Sequence, residues 1–206
     1  MVTYEKLLSE NRRWAFREGS VHFEKGSRVH QTLERIAKRL EELGIPYTVA
    51  GAMAMFQHGY RRFTEHVDIL VSPEGLAKIH AELEGRGYVP PFAGSKNLRD
   101  AETGVRIEFL VAGQYPGDGL PKPVVFPDPS QARTEQDGYY FLPLKDLIEL
   151  KLASGLSSPG RLKDLADVQE MIRVLKLPAQ FADSLDGSVS AEFRRLWQGA
   201  QSISAE

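Results

Sequence analysis

Along residues 29–43 the apolar positions Val29, Leu33, Ile36, Ala37, Leu40 and Leu43 recur at spacings of three and four. That period marks one buried face of a helix, and Gly44 supplies its stop. Residues 47–50 then read as a short strand led in by Pro46, followed by Gly51 and an apolar helix over 52–58 that ends at Gly59. Residues 67–71 alternate as a strand, with Val67, Ile69 and Val71 on one side. Ser72, Pro73 and Glu74 form a helix start, with a hydroxyl cap, a proline in the first turn and an acid beside it. The helix they open runs to the glycines at 85 and 87, and Val89 begins a short strand. Residues 104–111 alternate again and are rich in strand formers. The segment 112–138 is dense in Gly, Pro and Asp and is expected to be loop, with short strands at 124–126 and 139–142. Two helices follow, over 142–154 and 161–175, separated by a turn at 155–160; a short last helix is expected over 190–198. Residues 1–26 are weakly periodic and predict a short helix and an arm, packed through Trp14, Phe16 and Phe23.

This order of helices and strands predicts an α/β (α+β) fold: a small mixed β-sheet flanked by helices, with helices at the C-terminal end. The expected division is an N-terminal arm over 1–28, an α/β core over 29–142, and a C-terminal helical segment over 143–206 packed on that core. At 206 residues the chain is long enough to bury a full core without staples. It contains no cysteine, which excludes disulfides, thiolate metal sites and cysteine nucleophiles and suits a reducing, cytoplasmic setting. The formal net charge of −2 is not that of a non-specific duplex-DNA binder, although a local basic patch is enough for a phosphate-bearing small molecule. The first residues carry no apolar core of a secretory signal. No stretch approaches the roughly 18 consecutive apolar residues of a membrane span, so no membrane partner is expected.

The passage from Val49 and Ala50 through Gly51 into a helix is where candidate chemistry begins. Glycine lets a backbone come close to a ligand, and the free N–H groups at a helix start can face an anion. The same residues also suit an ordinary tight strand-to-helix turn. The spacing is neither a Walker loop nor a dinucleotide fingerprint.

Strand alternation puts His66 and Asp68 on one face and Val67, Ile69 and Val71 on the other. On the later strand, Arg106 and Glu108 share a face opposite Val105, Ile107 and Phe109. If the two strands are neighbours, His66, Asp68 and Glu108 are presented together. Carboxylate oxygens suit Mg²⁺ or Mn²⁺, and a neutral imidazole suits Mn²⁺ or Zn²⁺. Half-exposed strands with solvated polar residues would show the same alternation. Among the other polar residues, His58 reads as structural, Arg61 and Arg62 as either phosphate contacts or a solvated pair, and Trp14 and Trp197 as packing residues.

Residues 47–71, YTVAGAMAMFQHGYRRFTEHVDILV, resemble the opening of nucleotidyltransferases related to DNA polymerase beta. The nearer likeness is to the small bacterial group typified by abortive-infection toxins and minimal or antibiotic nucleotidyltransferases. The elements that carry it are Gly51, His58-Gly59, Arg62, Thr64 and Asp68, joined later by LPLKDLIELKLASG over 142–155 and RLKDLADV over 161–168. The resemblance implies the nucleotidyltransferase fold over roughly residues 30–175. It implies that Gly51 and Ala52 form the turn that holds a triphosphate, with Arg62 and Thr64 on the approach. His66, Asp68 and Glu108 take the three metal-carboxylate positions and, with them, the catalytic ones. Lys151 matches the lysine of the helical segment, and Lys163, Asp164 and Asp167 match the closing segment that meets nucleotide or braces the cleft.

Two departures from that pattern stand out. Ala52 replaces the usual second Gly or Ser of the turn, which keeps the amide but loses a hydroxyl. His66 replaces the first aspartate, removing one negative charge where two ions about 3.5–4 Å apart would need several. The implied activity is transfer of a nucleoside monophosphate from a nucleoside triphosphate to a hydroxyl acceptor, with Mg²⁺ or Mn²⁺ as cofactor. The competing readings are a catalytically impaired nucleotide or ligand binder and a toxin–antitoxin-type interaction protein on the same scaffold. The nucleotide, the acceptor and the oligomeric state are not legible.

Overall fold

The computed structural model describes residues 2–203. Met1 of the expected arm and residues 204–206 of the expected C-terminal segment lie outside the described residues. The protein is a mixed β-sheet flanked by helices, with a helical C-terminal region. The elements begin with α1 (Tyr4–Glu10), α2 (Arg12–Phe23) and α3 (Arg28–Glu42), followed by β1 (Tyr47–Val49), α4 (Gly51–His58), β2 (His66–Val71) and α5 (Pro73–Leu83). Next come β3 (Tyr88–Val89), β4 (Leu98–Asp100), β5 (Arg106–Val111), β6 (Thr134–Gln136) and β7 (Tyr139–Phe141). The chain ends with α6 (Leu144–Ser157), α7 (Leu162–Leu175) and α8 (Gly187–Ile203). Among the described residues the sheet has seven strands, in the order β3-β4-β5-β2-β1-β7-β6. β2 lies at its centre, antiparallel to β1 and parallel to β5.

The alternation read from sequence places the core. Val67, Ile69 and Val71 of β2 and Ile107, Phe109 and Val111 of β5 are buried on one face. Val29, Leu33, Ile36, Ala37 and Leu40 of α3 are buried as their helical spacing requires. Ser72 caps α5 as expected: its hydroxyl accepts from the Gly75 amide at 3.0 Å. Among the described residues no helix is long and apolar enough to cross a membrane.

Several elements differ from the expectation. Residues 4–10 and 12–23 form two helices built into the body: Tyr4 is fully buried, and its amide donates to the Gly104 carbonyl at 3.1 Å, whereas Phe16 and Phe23, expected to pack, are exposed. β4 and β6 had no alternating signal; they are three-residue strands held by pairing to β5 and β7. No strand forms at residues 124–126. The expected turn at 155 lies inside α6, which continues to Ser157. The reason is packing, since a Cβ on Gly155 would come within 2.5 Å of Leu165. Glycine there serves the close crossing of α6 and α7 and does not end the helix. The last helix spans 17 residues because Val189, Phe193, Leu196 and Ala200 carry a buried face past both ends of the expected segment.

Candidate functional site

The two strands that carry the candidate ligands are neighbours in register, with Asp68 directly opposite Glu108 and His66 opposite Arg106. Parallel neighbours lie about 4.8 Å apart, so side chains from paired positions on the polar face must meet. One ligand atom from each of His66, Asp68 and Glu108 lies within 4.8 Å of the others. His66 Nε2 is 3.4 Å from Asp68 Oδ2. Arg106 Nη2 sits 2.7 Å from Glu108 Oε1, so one Glu108 oxygen already faces a cation of the protein. Glu65 precedes the first residue of β2 and is exposed, outside this cluster.

Burial works against protonation of His66. The hydrogen bond to Asp68 and the charges of Asp68 and Glu108 outweigh it, and the imidazole is held above its ordinary value. A metal at His66 therefore competes with a proton that these same carboxylates favour.

The turn at Gly51 adjoins the cluster. Gly51 has φ of 58°, in the left-handed region, and is the first residue of α4. The cap residue Ala50 offers no side chain to the orphan amides of that helix start. The Ala50 amide is itself engaged, donating to the Asp68 carbonyl at 2.9 Å, which ties the turn to β2.

These parts open on a cleft of about 930 Å³. Gly51, Ala52, His66, Asp68 and Glu108 line one side, and Arg62, Lys151, Lys163 and Asp164 line the wall made by the approach loop and the C-terminal helices. The cleft lining does not include Thr64 or Asp167. Thr64 is buried and donates its hydroxyl to the His66 carbonyl at 3.2 Å, bracing the entry into β2. Asp167 is buried under the wall, where it accepts from Lys151 Nζ at 2.7 Å and Arg62 Nη2 at 3.2 Å. Arg62 Nε also stands 3.0 Å from Asp167 Oδ1 as a charge contact without hydrogen-bond alignment.

Lys151, Asp164, Ser154 and Arg161 form one polar network on that wall. Lys151 Nζ donates to Asp164 Oδ1 at 2.9 Å, and Ser154 Oγ donates to Asp164 Oδ2 at 2.7 Å. Burial alone would raise the Asp164 carboxyl, but Lys151, Ser154 and Arg161 hold it below its ordinary value. Lys151 thus bridges α6 to α7, and its charge is spent on two carboxylates. Lys163 is exposed at the cleft and has no ion pair among the described residues.

Several lining groups were not anticipated. Lys96, Ser154, Arg161 and the loop from Gln114 to Gly119 face the cleft. Ser154 and Arg161 lay within quoted segments and were readable by helical spacing from Lys151 and Asp164. Lys96 and the loop carried no local signal. The loop is held by the end of α6, where the Asp118 amide donates to Ser157 Oγ at 3.2 Å, and by Lys122 just after it, whose Nζ donates to the Pro116 carbonyl at 2.7 Å. His58 is structural, paired through Nε2 with the Leu142 carbonyl at 2.8 Å.

No protein-family model matches the chain, and no curated protein matches it. Solved structures give a likeness of shape. The crystal structure of ANT(2")-Ia in complex with adenylyl-2"-tobramycin is 11% identical, with 82% of this chain and 96% of that chain covered and a TM-score of 0.49. A candidate nucleotidyltransferase from H. pylori is 14% identical, with 84% of this chain and 94% of that chain covered and a TM-score of 0.46. At these identities and TM-scores the functional reading rests on the cleft itself.

Proposed function

We propose that this protein is a divalent-metal-dependent nucleotidyltransferase that moves a nucleoside monophosphate from a nucleoside triphosphate to a hydroxyl acceptor. The observation that carries the reading is the meeting of His66, Asp68 and Glu108, with ligand atoms within 4.8 Å, beside the uncapped helix start at Gly51. The motif resemblance over residues 47–71 supports it independently. Residues 29–142 then serve as the reaction core, and the helices from 143 onward close the cleft. The cysteine-free composition suits the cytoplasm as the place of work.

The donor set fits one divalent ion better than two. Two carboxylates, one imidazole and the adjacent Arg106 leave the cluster with little net negative charge, too little to offset a second dication in the usual way. Asp68, Glu108 and neutral His66 would hold Mn²⁺ or Mg²⁺, and the nitrogen donor favours Mn²⁺. When bound, such an ion supplies Lewis-acid charge to the reacting phosphoryl group.

The chain's own groups account for the rest. The amides of Gly51 and Ala52 orient phosphate oxygens at the positive end of α4. The Glu108 oxygen not engaged by Arg106 accepts the proton of the acceptor hydroxyl. The acceptor oxygen bonds to the α-phosphorus as the bond to the bridging oxygen breaks, and pyrophosphate leaves toward Lys163 and Arg161. The cations there stabilise the charge that develops on it. Lys151 and Arg62, tied to Asp164 and Asp167, keep the wall in place.

A second reading, a nucleotide binder with impaired catalysis, is favoured by His66 and by the Arg106–Glu108 pair, both of which lower the negative charge available to metal. Incubation with α-labelled nucleoside triphosphates, Mn²⁺ and cell extract separates the two. Transfer of label to an acceptor, abolished by Asp68→Ala, supports the transferase. Retained nucleotide affinity with no transfer across Mg²⁺, Mn²⁺ and Zn²⁺ supports the binder.

A further inference from the structure

A second cavity, of about 170 Å³, lies between α3, α4 and β7 and shares no lining residue with the cleft. Leu33, Met53, Phe56 and Phe141 give it an apolar side, and Gln31, Glu34, Gln57 and Tyr139 add polar groups to the lining. Lys25 and Asp137, paired at 3.0 Å and each more than half exposed, stand at its rim. His30 also lines it.

The hydrogen-bond chain behind His30 fixes the proton on its ring. His22 Nε2 lies 3.3 Å from the Arg62 carbonyl, which can only accept, so that nitrogen carries a hydrogen. Burial lowers the His22 pKa below its ordinary value and so favours the neutral ring; its Nδ1 is then an acceptor, and its partner at 3.1 Å, Ser27 Oγ, must donate to it. The Ser27 hydroxyl has no second proton, so at the 2.9 Å contact with His30 Nδ1 it accepts. His30 therefore carries its hydrogen on Nδ1 and presents a bare lone pair at Nε2, which has no partner among the described residues.

Two further observations show that this arrangement is built. Ser27 occupies the N-cap position of α3 but makes no capping bond; its hydroxyl is committed to the two imidazoles. Glu18 takes over the cap, with Oε1 accepting from the Arg28 amide at 2.6 Å. Burial, with the neighbouring His22 and Lys25, pushes the His30 imidazolium down to about 4, so the ring is neutral at neutral pH.

We propose that this cavity is a binding site for a one-ring aromatic molecule bearing an O–H or N–H donor, of the phenol or aromatic amine class, with His30 Nε2 as the acceptor. The volume suits a single ring, since an apolar cavity of about 150 Å³ is enough to hold benzene. The donor requirement follows from the lone pair: a ligand without a donor that covers Nε2 shuts it off from water and leaves it unpaired.

The test uses the full chain with phenol and anisole, which differ by the donor. Isotope-edited NMR reports binding at the Met53, Phe56 and His30 signals, and the ring nitrogen shifts of His30 report the tautomer directly. The expected result is Nδ1 protonated and Nε2 bare, with phenol binding about tenfold more tightly than anisole, the worth of one good hydrogen bond. His30→Phe, checked for an unchanged melting temperature, should remove that preference. Equal affinity for the two ligands, failure of both to perturb the cavity signals at millimolar concentration, or a protonated Nε2 overturns the proposal. Should His30→Phe not fold, the ligand pair and nitrogen shifts on the unmodified protein decide the matter.

Discussion

Gly51 and Asp68 approach so closely that a Cβ on Gly51 would stand 1.9 Å from Asp68 Oδ2. The same carboxylate oxygen faces His66 Nε2 at 3.4 Å. The turn and the carboxylate therefore share one space, and the absence of a side chain at Gly51 leaves Asp68 free to point into the cleft.

Gly51→Ala puts a methyl group into that space at a residue with positive φ. It is expected to cost about 2–3 kcal/mol from overpacking and backbone strain together, and to weaken Mn²⁺ binding by displacing Asp68. Urea unfolding and Mn²⁺ titration check it; an unchanged midpoint with unchanged Mn²⁺ affinity would mean that the close approach is not required.

His66→Asp adds a third carboxylate beside Asp68 and Glu108. Mg²⁺ affinity is expected to rise about tenfold, because a hard anionic oxygen replaces a nitrogen donor. Competition titrations with Mg²⁺ and Mn²⁺ on both proteins read the change. A Mg²⁺ affinity no better than the parent's would remove His66 from the coordination sphere.

Lys151→Met leaves the Asp164 and Asp167 carboxylates short of their shared cation in a largely buried place. Removing one member of such a network is expected to cost about 3 kcal/mol or more, less whatever Arg62 recovers for Asp167. Chemical denaturation measures it. A loss below about 1 kcal/mol, the range of exposed pairs, would show the bridge between α6 and α7 to be incidental.

Acid sensitivity should trace to Asp164. Its folded-state value is held below the ordinary 3.8, so its contribution is present above that value and is lost as pH falls through the lower folded value. Asp164→Asn is expected to be less stable than the parent at neutral pH, with the gap closing on acidification below about pH 4. Stability curves of the two proteins against pH give the answer directly; parallel curves would place the acid-sensitive group elsewhere.

Much of this site could be read before any coordinates. Val67, Ile69 and Val71 identified their buried face and so put His66 and Asp68 on the other; the same logic paired Arg106 with Glu108. Ser72 and Pro73 declared the start of α5. The misreadings have one cause. Gly155 looks locally like a helix stop, yet it is kept in the helix by Leu165, ten residues away in the chain. Leu98–Asp100 has no alternating pattern and becomes a strand through its partner β5.

Periodicity is a local property, so the chain alone determined which residues form α3, β2 and β5 and which of their faces turn inward. Register between strands is not local: that Asp68 stands opposite Glu108, and not one place along, depends on how β2 and β5 pack against the rest of the sheet. The same holds for the hydrogen-bond chain from Arg62 through His22 and Ser27 to His30, whose ends are 32 residues apart in sequence. Tertiary structure alone decided these meetings, because they are set by burial of apolar surface across the whole molecule and not by any single segment.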